Sequence, residues 1–256
     1  MKQAFKYNDK FYQSVNMRAN LTAQLVFETL GGVIDFKSVV DLGCGGGVWL
    51  ERSIVNGASR AVGIDLPSSI RMIRQNPLFT KYIEEKRINL IERDFVENSD
   101  LKLPLADIAI CIEVAEHLPK QLSSKLVDRL CEASECVVFS AAQPGQGGTY
   151  HINEQPLSYW TNLFKRNGYV AIDLFRPVLL QNHKVPRFYS LNLLLFLKQE
   201  NEKYPTCVVN PQEIANYRIL AVADLEKRTS IERMRYRIVN LLPVFLVTLI
   251  SRRVKY

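Results

Sequence analysis

No stretch of this sequence stays apolar for the roughly 20 residues that a membrane-spanning helix needs. Its first residues, MKQAFKYNDKFYQS, lack the apolar core of a signal peptide. Cysteine is present but unorganised: there are five, an odd number, and no C-x-x-C pair. Cys44, Cys111 and Cys136 lie in apolar or Gly-rich stretches that read as buried. This usage excludes a disulfide scaffold and suits a reduced, cytoplasmic protein. There is no internal repeat and no low-complexity tract. No Gly-Lys-Ser/Thr follows the glycines, which excludes a P-loop. Histidine is scarce, with three in the chain, so each one is a candidate for chemistry.

What is present is ordinary for a folded domain. The 256 residues are 47% hydrophobic and 23% charged, enough for one sizeable α/β domain plus an extension. The net charge of +7 admits nucleic acid, an anionic membrane surface or an acidic small molecule as partner, and equally a merely solvated basic surface.

Short β-branched runs alternate with helical patterns. Strands are expected at Ser38–Leu42, Arg60–Asp65, Ile88–Arg93, Ala106–Ile112, Glu135–Ala141, Tyr169–Phe175 and Tyr189–Leu197. Helices are expected at Val48–Asn56, Ser68–Glu85, Lys120–Ala133 and Gln155–Asn167, and before the first strand at Met17–Leu30, ending at Gly31–Gly32. Such alternation predicts βαβ units and a parallel sheet covered on both faces. After the seventh strand, Gln199–Pro211 reads as a linker. Gln212–Arg237 reads as a helix turning strongly basic, followed by the apolar Ile238–Ile250 and a basic end. The expected division is a domain over 1–198 and a basic helical extension over 199–256.

The first strand runs into Asp41-Leu42-Gly43-Cys44-Gly45-Gly46-Gly47 before Val48 opens a helix. Glycines 43, 45 and 47 allow a sharp turn and close backbone approach to a ligand. The helix N-terminus behind them offers free N–H groups. In an open parallel sheet this is where ligands bind. Val48 stands where a dinucleotide-binding G-x-G-x-x-G needs a glycine or a small residue.

The stretch VVDLGCGGGVWL resembles the first motif of class I (Rossmann-like) S-adenosylmethionine-dependent methyltransferases, and the resemblance extends from about Val39 to Leu197. It implies a seven-stranded, mostly parallel sheet with helices on both faces and S-adenosyl-L-methionine as cofactor. It places the methionine end of that cofactor at Asp41, Gly43, Cys44, Gly45 and Gly47. Asp65, with Leu66 beside it, would take the ribose hydroxyls, although a helix cap before Pro67-Ser68 explains that aspartate too. Asp94 would meet the adenine amino group and Phe95 its ring, unless Asp94 is only a turn residue. The segment Glu113-Val114-Ala115-Glu116-His117-Leu118 resembles the one that follows the fourth strand in many small-molecule methyltransferases. There the first residues, here Glu113 and Val114, line the cofactor and the Glu-His pair faces the substrate.

The candidate catalytic residues are His117, His151 and Glu116. The loops after the fourth and fifth strands flank one crevice in a doubly wound sheet, so His117 and His151 would meet near the transferable methyl. Either could accept a hydroxyl proton, or simply brace its own loop. An alternative is a metal held by Glu113, Glu116, His117 and His151, a mixed oxygen and nitrogen set. It resembles the metal site of small-RNA 3′-terminal 2′-O-methyltransferases. The leading expectation has no metal.

The leading functional expectation is O-methylation of a small-molecule hydroxyl, on a secondary metabolite or sugar-containing acceptor, with a histidine general base. The alternatives are an RNA 2′-O-methyltransferase and a non-catalytic cofactor-binding regulator. Against RNA, the basic residues gather in the tail instead of interleaving with aromatics near the crevice. For Ile238–Ile250, flanked by Arg and Lys, peripheral membrane contact, packing on the domain, a homodimer contact and a lid all stay open.

Overall fold

The structure is a computed structural model that describes residues 9–199. The expected linker, basic helix and apolar tail therefore lie outside the described residues. No described helix is long and apolar enough to cross a membrane. The four described cysteines, Cys44, Cys111, Cys131 and Cys136, are unpaired.

Seven strands form one sheet: β1 Ser38–Leu42, β2 Arg60–Asp65, β3 Ile88–Glu92, β4 Ile108–Ile112, β5 Cys136–Ser140, β6 Tyr169–Ile172 and β7 Leu194–Lys198. Their order is β3-β2-β1-β4-β5-β7-β6. The first five are parallel, and β7 runs antiparallel to both β5 and β6. The order reverses between β1 and β4, which sets the ligand crevice at their carboxyl ends.

The eight helices among the described residues are α1 Asp9–Gly31, α2 Val48–Val55, α3 Pro67–Gln75, α4 Pro77–Glu84, α5 Ser123–Ala133, α6 Leu157–Arg166, α7 Arg176–Leu180 and α8 Arg187–Asn192. They cover both faces, and strand alternation sorts the core between them. Ile108, Ile110, Cys136, Val138, Leu195 and Leu197 face one cluster, filled by residues of α1 to α4, α7 and α8. Ala109, Cys111, Val137, Phe139, Leu194 and Phe196 face the other, filled by α5 and α6. There Phe164 stacks on Phe196 with ring centroids 3.8 Å apart.

Several expected elements differ; α1 begins at Asp9 instead of Met17, and β6 ends at Ile172 instead of Phe175. The single helix over Ser68–Glu85 is two helices, because Pro77 cannot donate to the preceding turn. Asn76 ends α3 and caps α4 through its side chain, which accepts from the Leu78 N–H at 3.1 Å. The seventh strand starts at Leu194, not Tyr189. Residues Arg187–Asn192 form α8 instead, and Leu193 N–H donates to Tyr189 C=O at 3.1 Å. Glu113 has φ +54° and lies outside the short 3₁₀ turn Ala115–His117.

Gly63, in the middle of β2, tests how tightly the glycine turn is seated on the sheet. A Cβ there would lie 2.5 Å from Leu50 Cδ1 and 2.9 Å from Cys44 Sγ. Gly63→Ala is expected to cost about 1–3 kcal/mol through overpacking, read as a lower urea midpoint. An unchanged midpoint contradicts that packing.

Candidate active site

The carboxyl end of the sheet opens on a cavity of about 750 Å³, a size ordinary for a cofactor pocket. The β1–α2 turn contributes Gly43, Cys44, Gly45 and Gly46 to its wall. Asp65 and Leu66 enter from the end of β2, and Asp94 and Phe95 from the segment after β3. Glu113, Val114, Glu116 and His117 follow β4, and His151 comes from the loop between β5 and α6. Twelve of the fourteen residues expected at a site thus meet at one cavity.

Asp41 and Gly47 are the two that do not line it. Asp41 is buried, and its Oδ2 has no hydrogen-bond partner among the described residues. Burial first, and the charge of Asp65 second, push its carboxyl well above the usual range. Gly47 serves the turn itself. It caps α2 at φ +81°, where a Cβ would sit 2.8 Å from Phe79 Cζ.

The turn is pinned from below and from the side. Gly43 N–H donates to Ile64 C=O at 2.8 Å. Asp65 Oδ2 accepts from Gly45 N–H at 2.7 Å, and its Oδ1 accepts from Leu66 N–H at 2.6 Å and Ser69 Oγ at 2.9 Å. Burial raises the Asp65 carboxyl above its ordinary value, and these donors work against that rise.

Glu113 holds the far wall. Its left-handed backbone is unusual for a residue with a side chain and costs of order 1–3 kcal/mol. Ser140 supports it by accepting from the Glu113 N–H through both its carbonyl and its Oγ, each at 3.1 Å. The carboxylate accepts from Gln146 Nε2 at 2.7 Å and Asn192 Nδ2 at 3.1 Å. Asn192 also donates to Gln146 Oε1 at 2.8 Å. One polar net therefore joins the end of β4, the β5–α6 loop and α8.

The two histidine loops are fastened together. Ile152 and Asn153 N–H both donate to Glu116 C=O, at 2.8 and 3.0 Å. Asn153 Nδ2 donates to Ala115 C=O at 3.2 Å and Ser123 Oγ at 3.0 Å. The His117 and His151 rings stand edge to face with centroids 5.0 Å apart. His151 Nδ1 lies 2.9 Å from Glu154 Oε1. Glu154 is fully buried and also accepts from Gly145 N–H at 2.8 Å and Gly147 N–H at 2.9 Å. A carboxylate so placed favours the proton on Nδ1, and in the neutral ring of that tautomer Nε2 carries the lone pair.

Burial, and then the charge of His151, push His117 down to about 4, so it is neutral at physiological pH. Burial, and then the charge of Glu113, push the Glu116 carboxyl well above its usual value. Neither Glu116 oxygen has a hydrogen-bond partner among the described residues.

Several residues here were absent from the expected set. Glu154 stands three residues after His151, a visible spacing, but only the folded loop shows that it turns back onto the ring. Gln146 and Asn192 meet Glu113 across 33 and 79 residues of chain. Phe188 and Tyr189 reach the cavity from α8, and Tyr189 packs edge-on against Trp49 at 6.2 Å.

Residues 19–147 match the FtsJ-like methyltransferase family. The sequence is 28% identical over 129 residues to a ribosomal protein L11 methyltransferase of Enterobacter sp. (strain 638), covering 44% of this chain and 43% of that one. It is 29% identical over 143 residues to a ubiquinone biosynthesis O-methyltransferase of Nitrosomonas europaea, covering 54% and 53%. The chain therefore spans about half the length of the curated relatives it matches. Its fold is similar to that of magnesium protoporphyrin IX methyltransferase from Synechocystis PCC 6803 with SAH bound. The TM-score is 0.56 at 18% identity, over 76% of this chain and 89% of that one.

Proposed function

The chain belongs to the FtsJ-like methyltransferase family, and on that premise we propose that it transfers the methyl group of S-adenosyl-L-methionine to a hydroxyl oxygen of a small-molecule acceptor. The observation that carries this reading is a single cavity with the glycine turn at one end and the Glu116–His117–His151 cluster at the other.

The residues present fit the cofactor. Bound, it supplies a methyl group on a cationic sulfur with a good leaving group. Asp65, Asp94 and Glu113 give the cavity carboxylates, which suits a cationic ligand, and among the described residues Arg93 is the one lysine or arginine on the wall. Gly43 to Gly46 would hold the methionine end, Asp65 the ribose hydroxyls, and Asp94 with Phe95 the adenine. Val114 and Leu66 supply apolar wall.

For the acceptor, the protein's work is positioning and proton removal. His151 presents the unprotonated Nε2 toward Glu116 Oε1, 4.0 Å away. Glu154 stabilises the ring once it has taken a proton, as a buried carboxylate does for a general base. His117, held neutral, narrows the space beside it without adding charge.

The test is methyl transfer from labelled cofactor to three pools: hydroxyl-bearing small molecules, protein and RNA. Label in an alkali-stable methyl ether on a small molecule is the expected result. Label confined to RNA or to protein overturns the acceptor class. Cofactor binding with transfer to no pool points to a binding protein without catalysis.

A further inference from the structure

We propose that Glu116, His117 and His151 form a binding site for a first-row divalent transition-metal ion at the acceptor end of the cavity. Each of the three offers one ligand atom, and these atoms all lie within 4.8 Å of one another. Neighbouring ligands bound at about 2.1 Å in an octahedral or tetrahedral set are about 3.0–3.4 Å apart. Closing the set around an ion therefore asks for side-chain shifts on the order of 1 Å.

The surroundings match those of a metal site. Glu116 is fully buried, and neither of its oxygens has a hydrogen-bond partner among the described residues. An ionised carboxylate at that depth is costly without a partner, and a cation between it and the imidazoles offsets that cost. Glu154 accepts from His151 Nδ1 and so aims Nε2 at the cluster. A carboxylate on the far nitrogen of a ligating histidine is the usual outer support of such sites. The backbone is fixed as well, because the Glu116 carbonyl accepts from both residues that follow His151.

The ligand set is two imidazoles and one carboxylate, with further positions facing the cavity. That combination selects manganese, iron, cobalt or zinc over magnesium and calcium. Glu113, named in the alternative metal set, does not belong to this cluster. Its carboxylate is taken by Gln146 and Asn192.

The site's place in turnover rests on the hydroxyl-acceptor reading above; the site itself does not. With the ion bound, His151 Nε2 is a ligand and no longer the proton acceptor. An acceptor hydroxyl that ligates the ion gives its proton to water more readily. Its oxygen pair then forms the bond to the methyl carbon, while the carbon–sulfur bond breaks and its pair stays on sulfur.

The experiment uses the whole 256-residue chain, stripped with a chelator and checked for intact thermal unfolding. Manganese(II) is titrated and followed by electron paramagnetic resonance, and cobalt(II) by visible absorption. One equivalent should bind, with cobalt bands of imidazole ligation. Glu116→Gln, close to the native side chain in shape, should weaken binding at least about tenfold, and Glu154→Gln about 10- to 100-fold. No cobalt bands with the wild-type protein, or equal binding by wild type and Glu116→Gln, overturns the site. Full turnover by metal-free enzyme with no ion binding removes this inference alone. Ion binding without transfer to any hydroxyl keeps the site and removes the proposed acceptor class.

Discussion

His151→Ala is expected to lower kcat by about 10²- to 10⁴-fold while leaving the dissociation constant for S-adenosyl-L-methionine within about twofold. The ring is the group at the acceptor end whose reactive nitrogen is fixed by a buried partner, Glu154. The loss is the same in kind whether Nε2 takes the proton itself or holds an ion that lowers the hydroxyl's grip on it. Cofactor binding is spared because the glycine turn, Asp65 and Asp94 come from other loops. Gly148→Ala should act in the same direction with a smaller effect. A Cβ at that position would lie 2.2 Å from His151 Nε2, so the ring must leave its seat on Glu154 or the loop must move. Single-turnover rates with saturating cofactor measure both variants. Wild-type rates in both remove the ring from the reaction.

The second large effect is expected at the other end of the cavity. Asp65→Ala should raise the cofactor dissociation constant about 10- to 100-fold, the worth of one or two hydrogen bonds to a charged group. Two contributions act together. The substitution removes the carboxylate proposed for the ribose hydroxyls, and it releases the Gly45 and Leu66 N–H groups that hold the turn in shape. These donors need the ionised carboxylate. Burial raises the folded-state pKa of Asp65, so wild-type affinity should fall with decreasing pH, starting at a higher pH than an exposed aspartate would give. In Asp65→Asn that acid-side loss should be diminished. Calorimetric titration across the acid range reads both effects. Equal affinity in Asp65→Ala and wild type places the ribose elsewhere.

Much of this site was legible in the sequence because it depends on order along the chain. Apolar β-branched runs set β1 and β2 to the residue, and the residues that end parallel strands must emerge at one edge of the sheet. Hence Gly43, Asp65, Asp94 and Glu113 could be placed together before any coordinate. What could not be read depends on contacts across the chain. The Glu113 carboxylate is shared with Gln146 and Asn192, whose side chains meet it only after the loop and α8 have folded back. The Tyr189 segment has strand-like composition but packs as a helix against Trp49, a tertiary preference that overrides local propensity. Asp41 shows the opposite limit. Its position in the motif is right, yet its side chain does not line the cavity.

The central claim is that one cavity holds the methyl donor and aims it at the Glu116–His117–His151 cluster. The most direct test is a crystal structure with the demethylated cofactor product, S-adenosylhomocysteine. The expected result has its amino-acid end against Gly43–Gly46, its ribose at Asp65, and its sulfur facing the side of the cavity that carries His117 and His151. No binding at millimolar concentration, or a product whose sulfur faces away from both histidines, contradicts the account.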